Sequence, residues 1–318
     1  MSNERIFVMI AAYKDLEINA TLYDLYNKAD FPENIRVSVC WQGDFDEVRQ
    51  YKNWPHVYVS YVEPDESKGL GFARSIAQAQ YDGEEYCLQL DAHHRFAKSW
   101  DTWHITETKK LQKRGFKKPV LTAYAGSYSS TTNALLETVP SKIVLDPHIQ
   151  GFRPGWWTIP FFPNFLPSGL TEPVKARFCS GHYIFTVGEF CDEFRYDPFC
   201  YFWGEELSIS VRLYTMGYDL FHPHVLQVWH RYVWSGKDGN PGSGGEFVEK
   251  QYDVFKDKAR RESYWMGRLR KMTQQTPVEG DKQISLPACF GLGTKRKLSQ
   301  YEEYAGINFK QRTVDVNW

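Results

Sequence analysis

The first hundred residues alternate short apolar runs with amphipathic stretches, and this alternation constrains the fold more than any other feature of the chain. Strands joined by crossover helices are the pattern of an α/β sheet. Segments 6–12, 36–41, 56–62 and 86–91 are expected as strands, with helices at 19–29, 45–51 and 71–81 between them. The loops after the first and fourth strands then lie at the carboxyl edge of the sheet, where open α/β folds bind ligands. Further along, 99–114 and 205–216 are expected as helices, the latter closed by Gly217, and 119–124, 178–187 and 225–229 as strands. Between them, segment 125–178 is rich in Gly, Pro and aromatics, as in Gly151-Phe-Arg-Pro-Gly-Trp-Trp157 and 160–167. Its aromatic content argues for an ordered loop region over the site rather than a disordered one. A Gly-rich loop at 235–245 precedes a basic helix at 246–271, and the tail from Pro277 shows weak periodicity. The expected organisation is a catalytic domain over 1–245, with 246–318 packed on it.

The chain has 318 residues and a net charge of -1, which argues against a wholly basic nucleic-acid binder. Two local cationic runs stand out: Lys109, Lys110, Lys113, Arg114, Lys117 and Lys118, and a second over 256–271. Either is a solvated helix face or a phosphate track. The 16% aromatic content, with 11 Trp and 20 Tyr, suits stacking on sugar rings or bases as well as core filling. Six cysteines without a CxxC pair read as core residues of a reducing compartment, Cys40 and Cys87 lying inside expected strands. The apolar run 6–12 is too short for a secretory signal, and no stretch approaches transmembrane length. A cytoplasmic protein without membrane association is the expectation.

The strand at 86–91 runs directly into Asp91-Ala-His93. In an extended chain residues i and i+2 face the same side, which brings a carboxylate and an imidazole to one spot. Such a donor pair suits Mn²⁺ and accepts Mg²⁺ or Zn²⁺; the ordinary alternative is a strand that merely ends in polar residues. Four other segments belong beside it. Ile10-Ala-Ala-Tyr-Lys-Asp15 ends the first strand, where a nucleobase could stack on Tyr13 and bond the backbone near Ala12, or where Asp15 simply starts a helix. Lys68-Gly-Leu-Gly-Phe-Ala-Arg74 joins a helix start to a guanidinium, both favourable to a diphosphate. Tyr201-Phe-Trp-Gly-Glu-Glu206 offers Trp203 as a stacking face, and Glu205 and Glu206 as either helix caps or partners of sugar hydroxyls. His230 ends a strand and could complete the ion's ligand set with diphosphate oxygens.

Taken together, Asp91-Ala-His93, Phe202-Trp-Gly-Glu-Glu206 and His230 resemble the GT-A glycosyltransferases. They are similar to the polypeptide GalNAc transferases, and closer to the cytoplasmic GlcNAc transferase family that modifies hydroxyproline on a ubiquitin-ligase adaptor. The closer likeness extends through Leu88-Gln-Leu-Asp-Ala-His-His-Arg-Phe96, Ser99-Trp-Asp101, Gly291-Leu-Gly-Thr-Lys-Arg296 and Tyr304-Ala-Gly-Ile-Asn308. It implies a GT-A, Rossmann-like mixed sheet and a retaining, metal-dependent transfer from a UDP-sugar to a hydroxyl. Under it Asp91, His93 and His230 hold Mn²⁺, Ala12, Tyr13 and Asp15 lie near uridine, and Arg74 lies near the ribose or diphosphate. Trp203, Glu205 and Glu206 lie near the donor sugar and acceptor. Glu205-Glu206 departs from the Gly-Glu-Asn of the GalNAc enzymes, which leaves the sugar open.

The acceptor is either a protein hydroxyl or a hydroxymethylated base in phage DNA, with the cationic runs following the phosphate backbone and Tyr and Trp side chains receiving the extruded base. An inactive sugar-binding module would not need a diphosphate-binding metal site. A zinc hydrolase would not need the Tyr13 and Arg74 segments.

Overall fold

The computed structural model describes residues 4–136, 144–147, 161–164, 169–232 and 258–315. Four parallel strands, β1 (Ile6–Tyr13), β2 (Ile35–Gln42), β3 (Val57–Tyr61) and β4 (Tyr86–Asp91), form one half of an eight-stranded sheet in the order β3-β2-β1-β4. Residues Ile6 to Ile10 of β1 are all buried, because helices cover both faces of the sheet. A strand with no solvent side reads as an apolar run rather than an alternation. Its side chains nevertheless divide by parity. Ile6, Val8 and Ile10 pack with Ile18, Leu22 and Leu25 of the Glu17–Lys28 helix, while Phe7 and Met9 pack with Ala73 and Ala77 of the Leu70–Gln78 helix. Each fully buried Ile or Leu contributes roughly 1.5–3 kcal/mol to this two-sided core.

Beyond β4 the sheet is mixed. Tyr183–Val187 runs antiparallel to both β4 and Pro119–Thr122, Asp219–His222 runs parallel to Pro119–Thr122, and Val174–Lys175 forms the edge. The chain builds outward from β1 to β3 and then crosses back to place β4 on the other side of β1. That reversal makes the carboxyl ends of β1 and β4, at Tyr13 and Asp91, a topological switch point.

A small sheet of His94–Phe96, Val228–His230 and Gly126–Ser127 lies beside this edge, with His230 opposite His94 and Ser127. Here the local geometry differs from the expected i, i+2 extension. β4 ends at Asp91, and Ala92 and His93 form a bend before the next strand starts at His94. Thr21 holds the bend: its hydroxyl donates to the Ala92 carbonyl at 2.7 Å and accepts from the His94 N–H at 2.8 Å. The last strand of the small sheet starts three residues later than expected and includes His230.

The segment 178–187 is extended regularly only from Tyr183. The C-terminal basic helix is described as Lys258–Met272, and the tail contains a further helix, Leu298–Ala305. Eight residues carry too little amphipathic pattern to announce a helix; tertiary packing of Tyr301, Ala305 and Phe309 against Phe178, Tyr201 and Trp265 fixes it. The motifs at 151–157, most of 160–167, and the loop at 235–245 lie outside the described residues. Within the 125–178 segment, Val144–Pro147 pairs antiparallel with Phe161–Asn164. Cys40 and Cys87 are buried and unbridged, as is the rest of the cysteine set apart from the exposed Cys289. No helix among the described residues is long and apolar enough to cross a membrane.

Replacing Thr21 with Val keeps the volume but leaves the His94 N–H and Ala92 carbonyl without their buried partner. The expected loss is about 1–3 kcal/mol of unfolding free energy, read from urea titration with an unchanged slope.

Candidate active site

Asp91, His93 and His230 converge at the switch point, their candidate ligand atoms all within 4.8 Å of one another. The two sheets supply them separately: β4 ends in Asp91, the Thr21-held bend carries His93, and the small sheet delivers His230. Asp91 Oδ2 lies 3.5 Å from His230 Nε2, and the side chains of Asp91 and His93 retain 29% and 21% exposure, so a ligand can reach them. His93 Nδ1 is bonded to Asp15 Oδ2 at 2.6 Å, which leaves Nε2 for an ion. A carboxylate behind a ligating imidazole fixes its tautomer and orientation. Both ring nitrogens of His230 are buried with no hydrogen-bond partner among the described residues. One carboxylate and two imidazoles, one of them orphaned, fit a divalent cation.

Electrostatics agree with this geometry. Burial alone raises the Asp91 carboxyl, but His230 and the Arg74 guanidinium hold it well below the usual carboxylate range. Burial, reinforced by the nearby charge of His93, lowers His230 to about 4, so its imidazole is neutral, the form that binds metal. For His93 burial works downward, yet the Asp15 carboxylate outweighs it and the net shift is upward.

Arg74 is the hub behind the triad. It is 1% exposed, and its donors go to Glu205 Oε1 at 2.7 Å, Leu90 O at 3.0 Å, and Asp91 Oδ1 and Gly181 O, both at 2.8 Å. Arg74 is expected near ribose or diphosphate; in the fold these four hydrogen bonds to protein oxygens fix Asp91 in place. The helix start beside it is equally committed. Leu70 and Gly71 donate their N–H groups to the carbonyls of Tyr201 and Cys200, each at 2.8 Å, so these amides do not cradle an anion. Gly71 has no alternative residue, since a Cβ there meets Asp197 O at 2.4 Å.

Asp15, expected near uridine, is spent on His93 and on capping the Glu17 N–H at 3.0 Å. Ala12 turns its methyl into the core with Ile6, Val8 and Ile10. Tyr13 remains partly exposed at the end of β1, beside Gln42 at the end of β2. The Gln42 carboxamide is 4% exposed with Oε1 unpartnered, a feature no sequence motif announces.

The two glutamates have different environments. Glu205 is held by Arg74, whereas Glu206 Oε1 accepts the Gly181 N–H at 3.0 Å. Burial, with the neighbouring carboxylates of Glu205 and Asp91, raises Glu206 to about 7. Gly181 fits so tightly that a Cβ would meet Glu205 Oε2 at 2.5 Å. Trp203 is 43% exposed, and its carbonyl accepts from the Trp265 indole at 2.7 Å, which ties this turn to the C-terminal helix.

A mixed α/β sheet with a carboxylate–imidazole triad at its switch point places the protein among the GT-A glycosyltransferase folds. A family profile described as Glycosyltransferase (GlcNAc) matches residues 5–52 and 43–311, and the protein belongs to that family. It is similar in fold to a crystal structure of GalNAc-T7 with UDP, GalNAc and Mn²⁺, with 19% identity and a TM-score of 0.55, over 96% of this chain and 55% of that one. The chain thus spans about half the length of that protein. A structure of S. aureus TarS 1-349 in complex with UDP-GlcNAc matches with 14% identity and a TM-score of 0.46, over 83% of this chain and 70% of that one. Among curated proteins no relative matches.

Asp15→Asn removes the charge that orients His93, and Mn²⁺ affinity is expected to fall about 10–100-fold in calorimetric titration. Wild-type affinity should also weaken from pH 8 to pH 6, because the upward shift of His93 lets protons compete with the ion at higher pH than for a free imidazole. Glu206 carries the opposite consequence for stability. Its folded value of about 7 lies above its ordinary 4.5, so the stabilisation it gives in its protonated form is complete below about 4.5 and lost as pH rises through about 7. In metal-free protein, Glu206→Gln is expected to gain in melting temperature over wild type between pH 5 and pH 8.

Proposed function

We propose that this family member is a metal-dependent, retaining glycosyltransferase that moves a GlcNAc-like sugar from a UDP-sugar to a hydroxyl of a macromolecular acceptor. The convergence of Asp91, His93 and His230 at the switch point carries this reading. These three residues would hold Mn²⁺ or Mg²⁺. When bound, the ion supplies Lewis-acid stabilisation of the charge that develops on the UDP leaving group.

The chain's own residues divide the remaining work. Arg74 fixes one oxygen of Asp91 and leaves the other toward the site. Tyr13 offers its ring to the base and Gln42 an unpaired carboxamide to the base edge. Trp203 presents an exposed face to the sugar. Glu206, the carboxyl not bound to Arg74, accepts a sugar or acceptor hydroxyl, while Glu205 positions it through Arg74 and Gly181. Retention by same-face attack requires no enzyme nucleophile, and none is assigned.

A protein hydroxyl is favoured as acceptor over a DNA base. Lys109, Lys110, Arg114 and Lys118 hold the carboxylates of Glu4, Glu107, Glu172 and Glu193, and Arg268 and Arg270 hold Asp197 and Asp281. Cations engaged in this way are poor material for a phosphate track. A cytoplasmic site of action accords with the unbridged cysteines.

Titration of UDP with and without Mn²⁺ tests the assignment. Wild type is expected to bind UDP only with the ion, and Asp91→Ala to lose that binding, with UDP release from the donor reduced by a factor on the order of a hundred. Metal-dependent UDP affinity unchanged in Asp91→Ala would sink it.

A further inference from the structure

His94 stands directly opposite His230 in the antiparallel pair of the small sheet, so the two side chains project to the same face. It is completely enclosed, and neither of its ring nitrogens has a hydrogen-bond partner among the described residues. Its main chain, in contrast, is fixed: the N–H donates to the Thr21 hydroxyl at 2.8 Å, and the carbonyl accepts from the Arg95 guanidinium at 2.9 Å. Other enclosed histidines are treated differently by this fold. His104 bonds the Trp100 carbonyl and the Tyr183 hydroxyl, each at 2.6 Å, and His182 bonds Ser180 Oγ at 2.7 Å and the Tyr232 hydroxyl at 3.0 Å. Enclosing an imidazole without partners costs free energy that packing alone does not return.

The two histidines of the triad differ in the same respect. His93 rests one nitrogen on Asp15 and keeps the other for the ion. His230 turns Nε2 toward Asp91 Oδ2 at 3.5 Å, which leaves Nδ1 behind, buried and without a partner among the described residues. A neutral imidazole that gives its lone pair to an ion carries its proton on the other nitrogen, and that N–H needs an acceptor. The rings around His230 are those of His93, His94, His182 and Tyr232. His93 is held by Asp15, His182 by Ser180 and Tyr232, and the Tyr232 hydroxyl donates to the Ala125 carbonyl at 3.0 Å. His94 has both nitrogens uncommitted, and one of them is an acceptor in either tautomer.

The spacing suits such a pair. The His94 and His230 centroids are 5.1 Å apart, with the rings at 66°. Two imidazoles joined by an N–H···N bond of about 2.9 Å have centroids roughly 5 Å apart. Rotation about the Cβ–Cγ bond leaves a ring's centroid in place, and that torsion is broad for histidine. The rings can therefore turn edge to edge without moving either strand.

We infer that His94 is a positioning residue for the ion site: its unprotonated ring nitrogen accepts the Nδ1–H of His230 and holds that ring with Nε2 toward the ion. It is the counterpart of Asp15 behind His93. The inference rests on the metal-dependent reading above and adds to it a residue outside the ligand set.

The test measures Mn²⁺ affinity by calorimetry on wild type, His94→Leu, His94→Asn and His94→Gln, with the melting temperature of each metal-free protein as a second readout. His94→Leu is expected to weaken Mn²⁺ by about 10–100-fold. Its metal-free melting temperature should be no lower than that of wild type, since the change removes two buried nitrogens that have no partner. Asn places an oxygen where Nδ1 stands and Gln places one near Nε2, so one of the two should recover part of the affinity. Affinity within about twofold of wild type in His94→Leu overturns the inference. So does a loss that neither Asn nor Gln recovers, or a melting temperature that falls in step with affinity through all three variants, either of which marks a residue that supports the fold. Should His94→Leu not fold, the other two decide: affinity differing by about tenfold between Asn and Gln supports the inference, and equal affinity overturns it. Failure of wild type itself to bind Mn²⁺ removes the metal reading and this inference with it, and is seen before any variant is made.

Discussion

Enclosure of the Arg74 guanidinium is the constraint on which the rest of the site depends. A cation with 1% exposure must be surrounded by acceptors. Here those acceptors come from three places in the chain, the end of β4, the turn at Gly181 and the first residue of the 205–216 helix, and all three are drawn to the Leu70–Gln78 helix that carries Arg74. Buried ion pairs add little net stability, but breaking one costs about 3–5 kcal/mol. The contribution of Arg74 is therefore one of register. It sets where Asp91 and Glu205 stand relative to each other, and Gly181 must lack a side chain for the two to share it.

The triad has a similar division between ligands and supports. Asp15 and Thr21 touch neither sugar nor nucleotide in the reading given above, yet one fixes the His93 ring and the other the bend on which His93 sits. His93 and His230 are also tuned in opposite directions by their neighbours, the first upward by Asp15 and the second downward by burial. Two imidazoles at one spot need not both carry a proton, and their mutual repulsion is relieved when the buried one stays neutral.

How much of this was legible in the sequence follows from the range of the interactions involved. β1, β2 and β4 were visible because they are buried on both faces and written as continuous apolar runs. Asp91, His93 and His230 could be picked out by residue type and order, although the geometry joining them is a bend and a cross-sheet pairing rather than an extended strand. Arg74 could be singled out by type and place, but its bonds to Asp91, Glu205 and Gly181 could not: a Gly-rich helix start looks like an anion cradle until the carbonyls of Cys200 and Tyr201 occupy its amides. Those carbonyls lie some 130 residues away in sequence, and no local pattern encodes that contact. Gln42 was missed for the converse reason. What marks it is a buried carboxamide oxygen without a partner inside the folded protein, a property with no sequence signature.

The bond from the Trp265 indole to the Trp203 carbonyl spans 62 residues and fastens the Trp-Gly turn to a helix made near the end of the chain. During synthesis the parallel half of the sheet, complete by Asp91, can pair while most of the protein is still unmade. The Trp-Gly turn acquires its support only after the helix containing Trp265 has emerged and docked. A nascent chain therefore passes through a stage with a formed switch-point edge and an unsupported Trp-Gly turn, and the two halves of the candidate site are joined only once that helix has docked.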